Sequence, residues 1–167
     1  MQEITYIQGD ATNPTGSEHN KVIIHVCNDI GGWGRGFVLA LSRKWKQPEQ
    51  SYRAWFGGHN TVSLGMVQFV PVEKNITVAN MVAQHDIRTI NGIPPIRYEA
   101  LEECLKQVAK YAKDHNASVH LPYLMGAGLA GGEWEKIEEI IKNVLCKEDI
   151  IVVAYDIDGL RFMPIDD

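Results

Sequence analysis

Residues 25–45 read HVCNDIGGWGRGFVLALSRKW. An apolar run, Val22-Ile23-Ile24-His25-Val26, stops at Cys27-Asn28-Asp29. It crosses four glycines in six positions (Gly31, Gly32, Gly34, Gly36) and restarts as Phe37-Val38-Leu39-Ala40-Leu41 with helical spacing. Strand, glycine loop and helix is the simplest reading. Glycine adopts positive φ and lets a ligand approach the backbone, and the helix N-terminus that follows offers unpaired N–H groups and a partial positive charge. Such a junction suits a phosphate or diphosphate.

A second junction of this kind lies downstream. Ala117 to Leu121 reads as a strand, with His120 a packed side chain, and Pro122 to Gly132 (PYLMGAGLAGG) as a glycine-rich loop. Trp134 to Leu145 reads as a helix with Ile137, Ile140, Ile141, Val144 and Leu145 on its apolar side. Upstream, Glu3 to Gln8 alternates like a half-buried strand and ends at Gly9-Asp10-Ala11-Thr12. A local cap is the favoured role of Asp10, and a hydrogen bond to a ligand amine is the alternative. The helix after the first glycine loop runs to about Trp45, with Pro48 marking its end or the next segment's start. Pro48–Trp55 reads as a short helix, Gly57 to Asn60 as a turn, and Val62–Val72 and Ile76–Val82 as extended stretches joined by a hairpin turn at Asn75. Tyr98–Asn116 is the clearest amphipathic helix and Ile150–Tyr155 the last strand. The run from Val22 is apolar on both faces, as an interior strand covered on two sides requires. Together these elements predict an α/β sandwich with a mixed sheet, its ligand lying beyond the C-terminal ends of the strands.

At 167 residues, 45% hydrophobic and 22% charged, the chain suits one soluble domain with a substantial core. A formal charge of −5 argues against a protein that neutralises many phosphates of a nucleic acid, and no sequence-specific nucleic-acid binding is expected. No apolar run approaches the ~20 residues that span a bilayer. The start, Met1-Gln2-Glu3, carries no secretory pattern, so no membrane partner and a cytoplasmic location are expected. Cys27, Cys104 and Cys146 form neither a disulfide framework nor a zinc pattern; no metal or cofactor is expected, and Cys27 is read as a packed thiol.

Two familiar nucleotide fingerprints fail. Gly32-Trp33-Gly34-Arg35-Gly36 is G-x-G-x-G rather than G-x-G-x-x-G, and Trp55-Phe56 stands where a ribose-binding acid belongs. Neither loop is followed by the Lys-Ser or Lys-Thr of a Walker loop. A nucleotide-dependent oxidoreductase is therefore a further alternative with little support.

Gly9-Asp10-Ala11-Thr12, Asn28 with its glycine loop, and Gly126-Ala127-Gly128-Leu129-Ala130-Gly131-Gly132 together resemble a macrodomain, the ADP-ribose-binding module. The likeness is closest to the branch of bacterial ADP-ribose-1″-phosphate-processing proteins and ADP-ribosyl-glutamate hydrolases. It covers residues 1–167 as one three-layer α/β/α sandwich with a mixed central sheet, residues 159–167 forming a peripheral acidic tail. The resemblance implies roles for particular residues. Asp10, beside Gly9, Ala11 and Thr12, would meet the adenine amine. Asn28 and the loop Gly31, Gly32, Trp33, Gly34, Arg35 and Gly36, with Phe37, would wrap the distal ribose, Trp33 as lid or wall. Gly126, Ala127, Gly128, Leu129 and Ala130 would give backbone N–H groups to the diphosphate, and Tyr155 and Asp156 would border the adenine or proximal ribose. The partner implied is ADP-ribose or an ADP-ribosylated macromolecule. The function implied is binding of ADP-ribose or a derivative, with hydrolysis of a derivative open and a non-catalytic reader module as the alternative.

In the hydrolases of that branch a lysine attacks the ribose and an acid in the second loop assists. Ungapped matching puts Gln84 and Ala130 at those positions, and neither side chain can perform that chemistry. The lysine mechanism is not expected, and no catalytic residue is assigned; His25, Asp29, His85 and Asp86 are the candidate acid–base groups.

Overall fold

The structure, a computed structural model, describes residues 2–16, 19–58 and 61–163. Its strands are β1 (Ile4–Gln8), β2 (Asn20–Asn28), β3 (Val67–Glu73), β4 (Ile76–Gln84), β5 (Ala117–Pro122) and β6 (Val152–Asp156). Its helices are α1 (Phe37–Lys44), α2 (Gln47–Gly57), α3 (Tyr98–His115) and α4 (Trp134–Val144). The strands form one sheet in the order β1-β6-β5-β2-β4-β3. β2 runs parallel to both neighbours, β6 to β5 and β1, and only β3 is antiparallel, against β4.

The alternation of side chains along β2 divides the core. Val22 and Ile24 join the cluster under α3 and α4, whereas Ile23 and Cys27 join the cluster under α1 and α2. The sheet is thus covered on both faces, giving three layers, because its central strands have no polar face to present to water. All parallel strands point their C-terminal ends to one edge. The two glycine loops leave that edge from the adjacent strands β2 and β5.

Local chemistry sets several boundaries. Pro48 lies in the first turn of α2, where a missing N–H costs no hydrogen bond, so it opens a helix. Asn116 adopts φ 48° and donates its N–H to Ala112 and Lys113, closing α3 directly into β5. The expected extended stretch from Val62 is shorter than its hydrophobicity suggested. Gly65 turns at φ 92° and donates to Val82 O, and the strand starts only at Val67. The expected turn Gly57 to Asn60 falls partly outside the described residues, at positions 59 and 60.

The expected peripheral tail is exposed from Leu160 to Met163 and is ordered there. Residues Leu160–Phe162 form a 3₁₀ turn. The Arg161 N–H donates to Asp156 Oδ2 at 2.7 Å, and its guanidinium lies 3.7 Å over the Tyr6 ring and 5.4 Å from that of Tyr123. Cation–π attraction fastens the segment to the body. Residues 164–167 lie outside the described residues.

Candidate functional site

The first glycine loop is built on Asn28. Its Oδ1 accepts from the N–H groups of Ile30 (3.1 Å) and Gly32 (2.9 Å), and its Nδ2 donates to Gly32 O at 2.9 Å. From α2, the Tyr52 hydroxyl donates toward Asn28 O at 2.5 Å and Oδ1 at 2.9 Å. A Cβ on Gly32 would stand 3.0 Å from Asn28 Nδ2, so a side chain there would crowd the carboxamide that holds the turn. Gly36 ends the loop at φ 82° as the N-cap of α1, without a side-chain cap. The first turn of α1 therefore keeps unpaired N–H groups.

Trp33 is 4% exposed. Its Nε1 donates to Ser42 Oγ at 2.8 Å, and its ring packs against His25 and Tyr52 at centroid distances of 5.4 and 5.2 Å. The expected lid is thus a foundation under the loop: an indole beside a glycine-rich turn gains more from the core than from water.

The second loop closes on itself. Ala127 N–H donates to Leu124 O, Gly131 N–H to Gly128 O, and Gly132 N–H to Gly126 O at 2.9 Å. A Cβ on Gly132 would come within 2.6 Å of Gly126 O. The N–H groups of Gly126, Gly128, Leu129 and Ala130 have no backbone acceptor among the described residues. They are available to an anion.

The loops meet where a Cβ on Gly36 would stand 3.3 Å from Leu129 Cδ1. Between them lies a cleft of about 620 Å³. It brings together Asn28, Gly32, Gly34, Arg35, Gly36 and Phe37 from one side and Gly126, Gly128, Leu129 and Ala130 from the other, with Gln84 and Ile87 at the β4 end.

Other expected site residues lie outside the cleft lining. Asp10 Oδ1 accepts from Thr12 N–H (2.9 Å) and Thr12 Oγ1 (2.8 Å), the cap geometry favoured by its sequence context. Gly9 N–H donates to Asp156 O, and Lys44 Nζ donates to Thr12 O. Ala11 is buried beside Val153 and Tyr155, where Phe37 also packs, so one ring joins the β1 turn to the cleft. The Tyr155 hydroxyl accepts from Thr15 N–H (2.8 Å) and meets His120 Nδ1 (2.7 Å). Asp156 caps the 3₁₀ turn through Arg161 N–H. Both Tyr155 and Asp156, expected to border the adenine or proximal ribose, are buried.

His25 lies on the cleft floor. Asn80 Nδ2 donates to Pro48 O and Gln68 Oε1, so Asn80 Oδ1 is the acceptor and His25 Nε2 the donor across 2.5 Å. Burial pushes the imidazole down to about 4, against a weaker opposing pull from the Asn80 bond. It is neutral at pH 7. Burial likewise pushes the Cys27 thiol up, so Cys27 is no nucleophile. Asp29 holds two partners: Oδ2 accepts from His85 Nδ1 at 2.7 Å, and Oδ1 from Asp86 N–H at 2.8 Å. That pair stands between Gln84 and Ile87, both cleft residues. Among the described residues no three His, Cys, Asp or Glu side chains converge as metal ligands. Tyr52 was missed by sequence reasoning, since nothing in the pattern couples it to a loop 24 residues away.

Three layers, a mixed sheet and paired glycine loops at one edge define an α/β domain of the nucleotide-binding kind. No protein-family model matches the chain. It is similar to the solved structure of a macrodomain protein from Streptomyces coelicolor, at 49% identity and a TM-score of 0.81, covering 92% of this chain and 99% of that one. A Bacteroides thetaiotaomicron protein of unknown function is 57% identical with a TM-score of 0.90, covering 92% and 98%. The chain belongs to the macrodomain family. Among curated proteins, mouse chromodomain-helicase-DNA-binding protein 1-like is 36% identical over 160 residues, 91% of this chain. The chain spans only 17% of that relative and 15% of its zebrafish counterpart. The ADP-ribose 1″-phosphate phosphatase of Candida albicans is 24% identical over 84% of this chain and 92% of its own length. Thermosipho africanus DarTG, solved in complex with ADP-ribose, shares the fold at 16% identity and a TM-score of 0.73, covering 93% of this chain and 42% of that one.

Proposed function

We propose that this chain binds ADP-ribose or an ADP-ribosyl derivative in the cleft between its two glycine loops. The observation that carries the reading is the set of unpaired amides at Gly126, Gly128, Leu129 and Ala130 facing a pre-shaped first loop across one cleft. The diphosphate lies on those amides and the uncapped start of α1, the distal ribose lies in the loop Gly31–Gly36, and the adenine extends toward Asp10. DarTG, of the same fold, was solved with ADP-ribose, which supports this choice of ligand. Calorimetry with ADP-ribose, ADP and AMP tests it. Micromolar binding of ADP-ribose, with AMP much weaker, is expected; affinity no better than millimolar for ADP-ribose sinks the reading.

Hydrolysis of a derivative is a second reading, favoured by the Asp29–His85 pair beside the cleft. A carboxylate that holds one imidazole nitrogen leaves the other to take a proton from water. The name of the Candida relative supports a phosphorylated derivative as substrate. Gln84 in the cleft lining and Ala130 opposite offer neither a lysine nor an acid. Incubation with ADP-ribose-1″-phosphate, ADP-ribosylated protein and ADP-ribosylated DNA separates an enzyme from a reader: product from any one makes it a hydrolase, and product from none leaves a binding module. A cytoplasmic setting belongs to the same proposal, supported by three buried cysteines that form no disulfide. No helix among the described residues is long and apolar enough to cross a membrane.

A further inference from the structure

Three aromatic rings bracket the second glycine loop. Tyr6 of β1, Tyr123 at the start of the loop and Trp134, the first residue of α4, meet pairwise edge to face: Tyr6 with Tyr123 at a centroid distance of 5.8 Å, Tyr6 with Trp134 at 6.4 Å, and Tyr123 with Trp134 at 5.3 Å. Trp134 Nε1 donates to the Tyr6 hydroxyl at 3.2 Å, and that hydroxyl donates to a Glu138 carboxylate oxygen. Burial first, and the Glu138 bond next, push the ionisation of Tyr6 well up, so its ring stays a neutral phenol. Crossed rings beside a carboxylate make a cage for a cation. The occupant is the chain's own Arg161, whose guanidinium lies 3.7 Å over the Tyr6 ring and 5.4 Å from that of Tyr123. Its N–H bond to Asp156 Oδ2 at 2.7 Å turns the chain back just past β6 and brings the side chain there.

We propose that Arg161 is a positioning residue of the ligand site: seated in the cage of Tyr6, Tyr123 and Trp134, it holds the second glycine loop in the shape that receives a diphosphate. This inference rests on the proposed placement of ADP-ribose. Tyr123 lines the cleft and Arg161 does not, so the arginine acts through the ring. The unpaired amides of Gly126, Gly128, Leu129 and Ala130 lie in the stretch between Tyr123 and Trp134, and its glycines give that stretch little stiffness of its own. Rings at its two ends, drawn to one cation, fix the points from which those amides are aimed. With the cation gone the loop samples further shapes, and the ordering then has to come out of the binding free energy. Arg161 is exposed, so the cage is open to water and a small free cation can enter it once the side chain is removed.

Calorimetry of the full chain with ADP-ribose provides the test, on wild type, Arg161→Met and Arg161→Lys. Arg161→Met is expected to bind about 5-fold more weakly than wild type, the scale of one exposed cation–π contact, and Arg161→Lys to fall between the two. Guanidinium chloride, added to Arg161→Met at a concentration that leaves the fold intact, should restore part of the lost affinity by refilling the cage. Sodium chloride at the same ionic strength should not, and neither should urea, which has the planar shape of guanidinium without its charge. A purely structural loss would show no such selectivity. Equal affinity of wild type and Arg161→Met overturns the inference and leaves ADP-ribose binding standing. So does a loss that neither lysine nor guanidinium relieves, which would make Arg161 a fastening of the C-terminal segment alone. Failure of wild type to bind ADP-ribose overturns the proposed function and this inference together.

Discussion

Asn28 shows how one side chain turns a flexible glycine run into a site. Gly31, Gly32, Gly34 and Gly36 lose more backbone freedom on ordering than other residues would, and the carboxamide of Asn28 offsets that cost by bonding to both the N–H and the C=O of Gly32. The Tyr52 hydroxyl completes the lock from α2, and burial pushes its ionisation well up, so it stays a donor. Tyr52→Phe deprives a buried carbonyl of its donor while keeping the tilted ring contact with Phe56 at 4.8 Å. The expected cost is about 1–3 kcal/mol of stability. ADP-ribose affinity should fall as well, because the loop must then be ordered at the moment of binding. Urea unfolding and calorimetry on the same variant check both, and an unchanged affinity would mean that the loop holds its shape without Tyr52. Asn28 was legible in the sequence as a loop residue, but its role was not. The resemblance places it against the ribose; the structure adds that its oxygen serves two N–H groups of the loop and the Tyr52 hydroxyl of α2.

The two glycine loops behave as separate elements whose glycines serve different ends. Gly132 permits a close approach, its Cβ position lying 2.6 Å from Gly126 O and 3.0 Å from Ile137 Cδ1, while the Cβ position of Gly128 is open. Gly132→Ala should therefore cost about 1–3 kcal/mol through overpacking, a fall in Tm of roughly 3–10 °C. Gly128→Glu should leave Tm within about 2 °C of wild type, since surface changes away from such contacts are nearly neutral. It should nevertheless abolish ADP-ribose binding by placing a carboxylate among amides proposed to hold the diphosphate. Thermal melts with calorimetry decide; ADP-ribose binding that survives Gly128→Glu removes the second loop from the site. At this scale the sequence was read well, because both junctions break an apolar run with glycines and restart it at helical spacing. The pattern was least informative between Gly57 and Val67, where hydrophobic residues such as Leu64 belong to a turn rather than a strand. Alternation cannot reveal that Gly65 is tied to Val82 O by a bond from outside the segment.

Across the whole molecule, two buried imidazoles connect the layers and make global stability depend on pH. His25 joins β2 through Asn80 and Gln68 to β4, β3 and α2. His120 meets Ser118 of its own strand on one nitrogen and, on the other, the Tyr155 hydroxyl of β6, which holds the segment after β1 at Thr15. Both are polar residues within buried runs of their strands; the sequence suggested packing for His120, and the structure adds that each is hydrogen-bonded. Burial, before any other cause, pushes both down from 6.5 to about 4. The unfolded chain therefore takes up these two protons first, near pH 6.5, and the folded chain only near pH 4. Stability contributed by the neutral imidazoles is complete above pH 6.5, falls as the pH drops toward 4, and is then constant, each group accounting for at most roughly 3 kcal/mol. Carboxylates such as Glu49, held low chiefly by its bond from Arg53, add their own loss only below about 4.5, so the interval from pH 6.5 to 5 belongs to the histidines. Urea midpoints measured at pH 7.5, 6, 5 and 4.5 should fall steadily in wild type. His120→Gln, less stable at pH 7.5 for want of its bonds, should lose less between pH 6.5 and 5 than wild type does, because one proton uptake has been removed. A variant whose midpoints decline in parallel with those of wild type would show that His120 titrates alike in both states and that its burial has no part in the acid sensitivity of the fold.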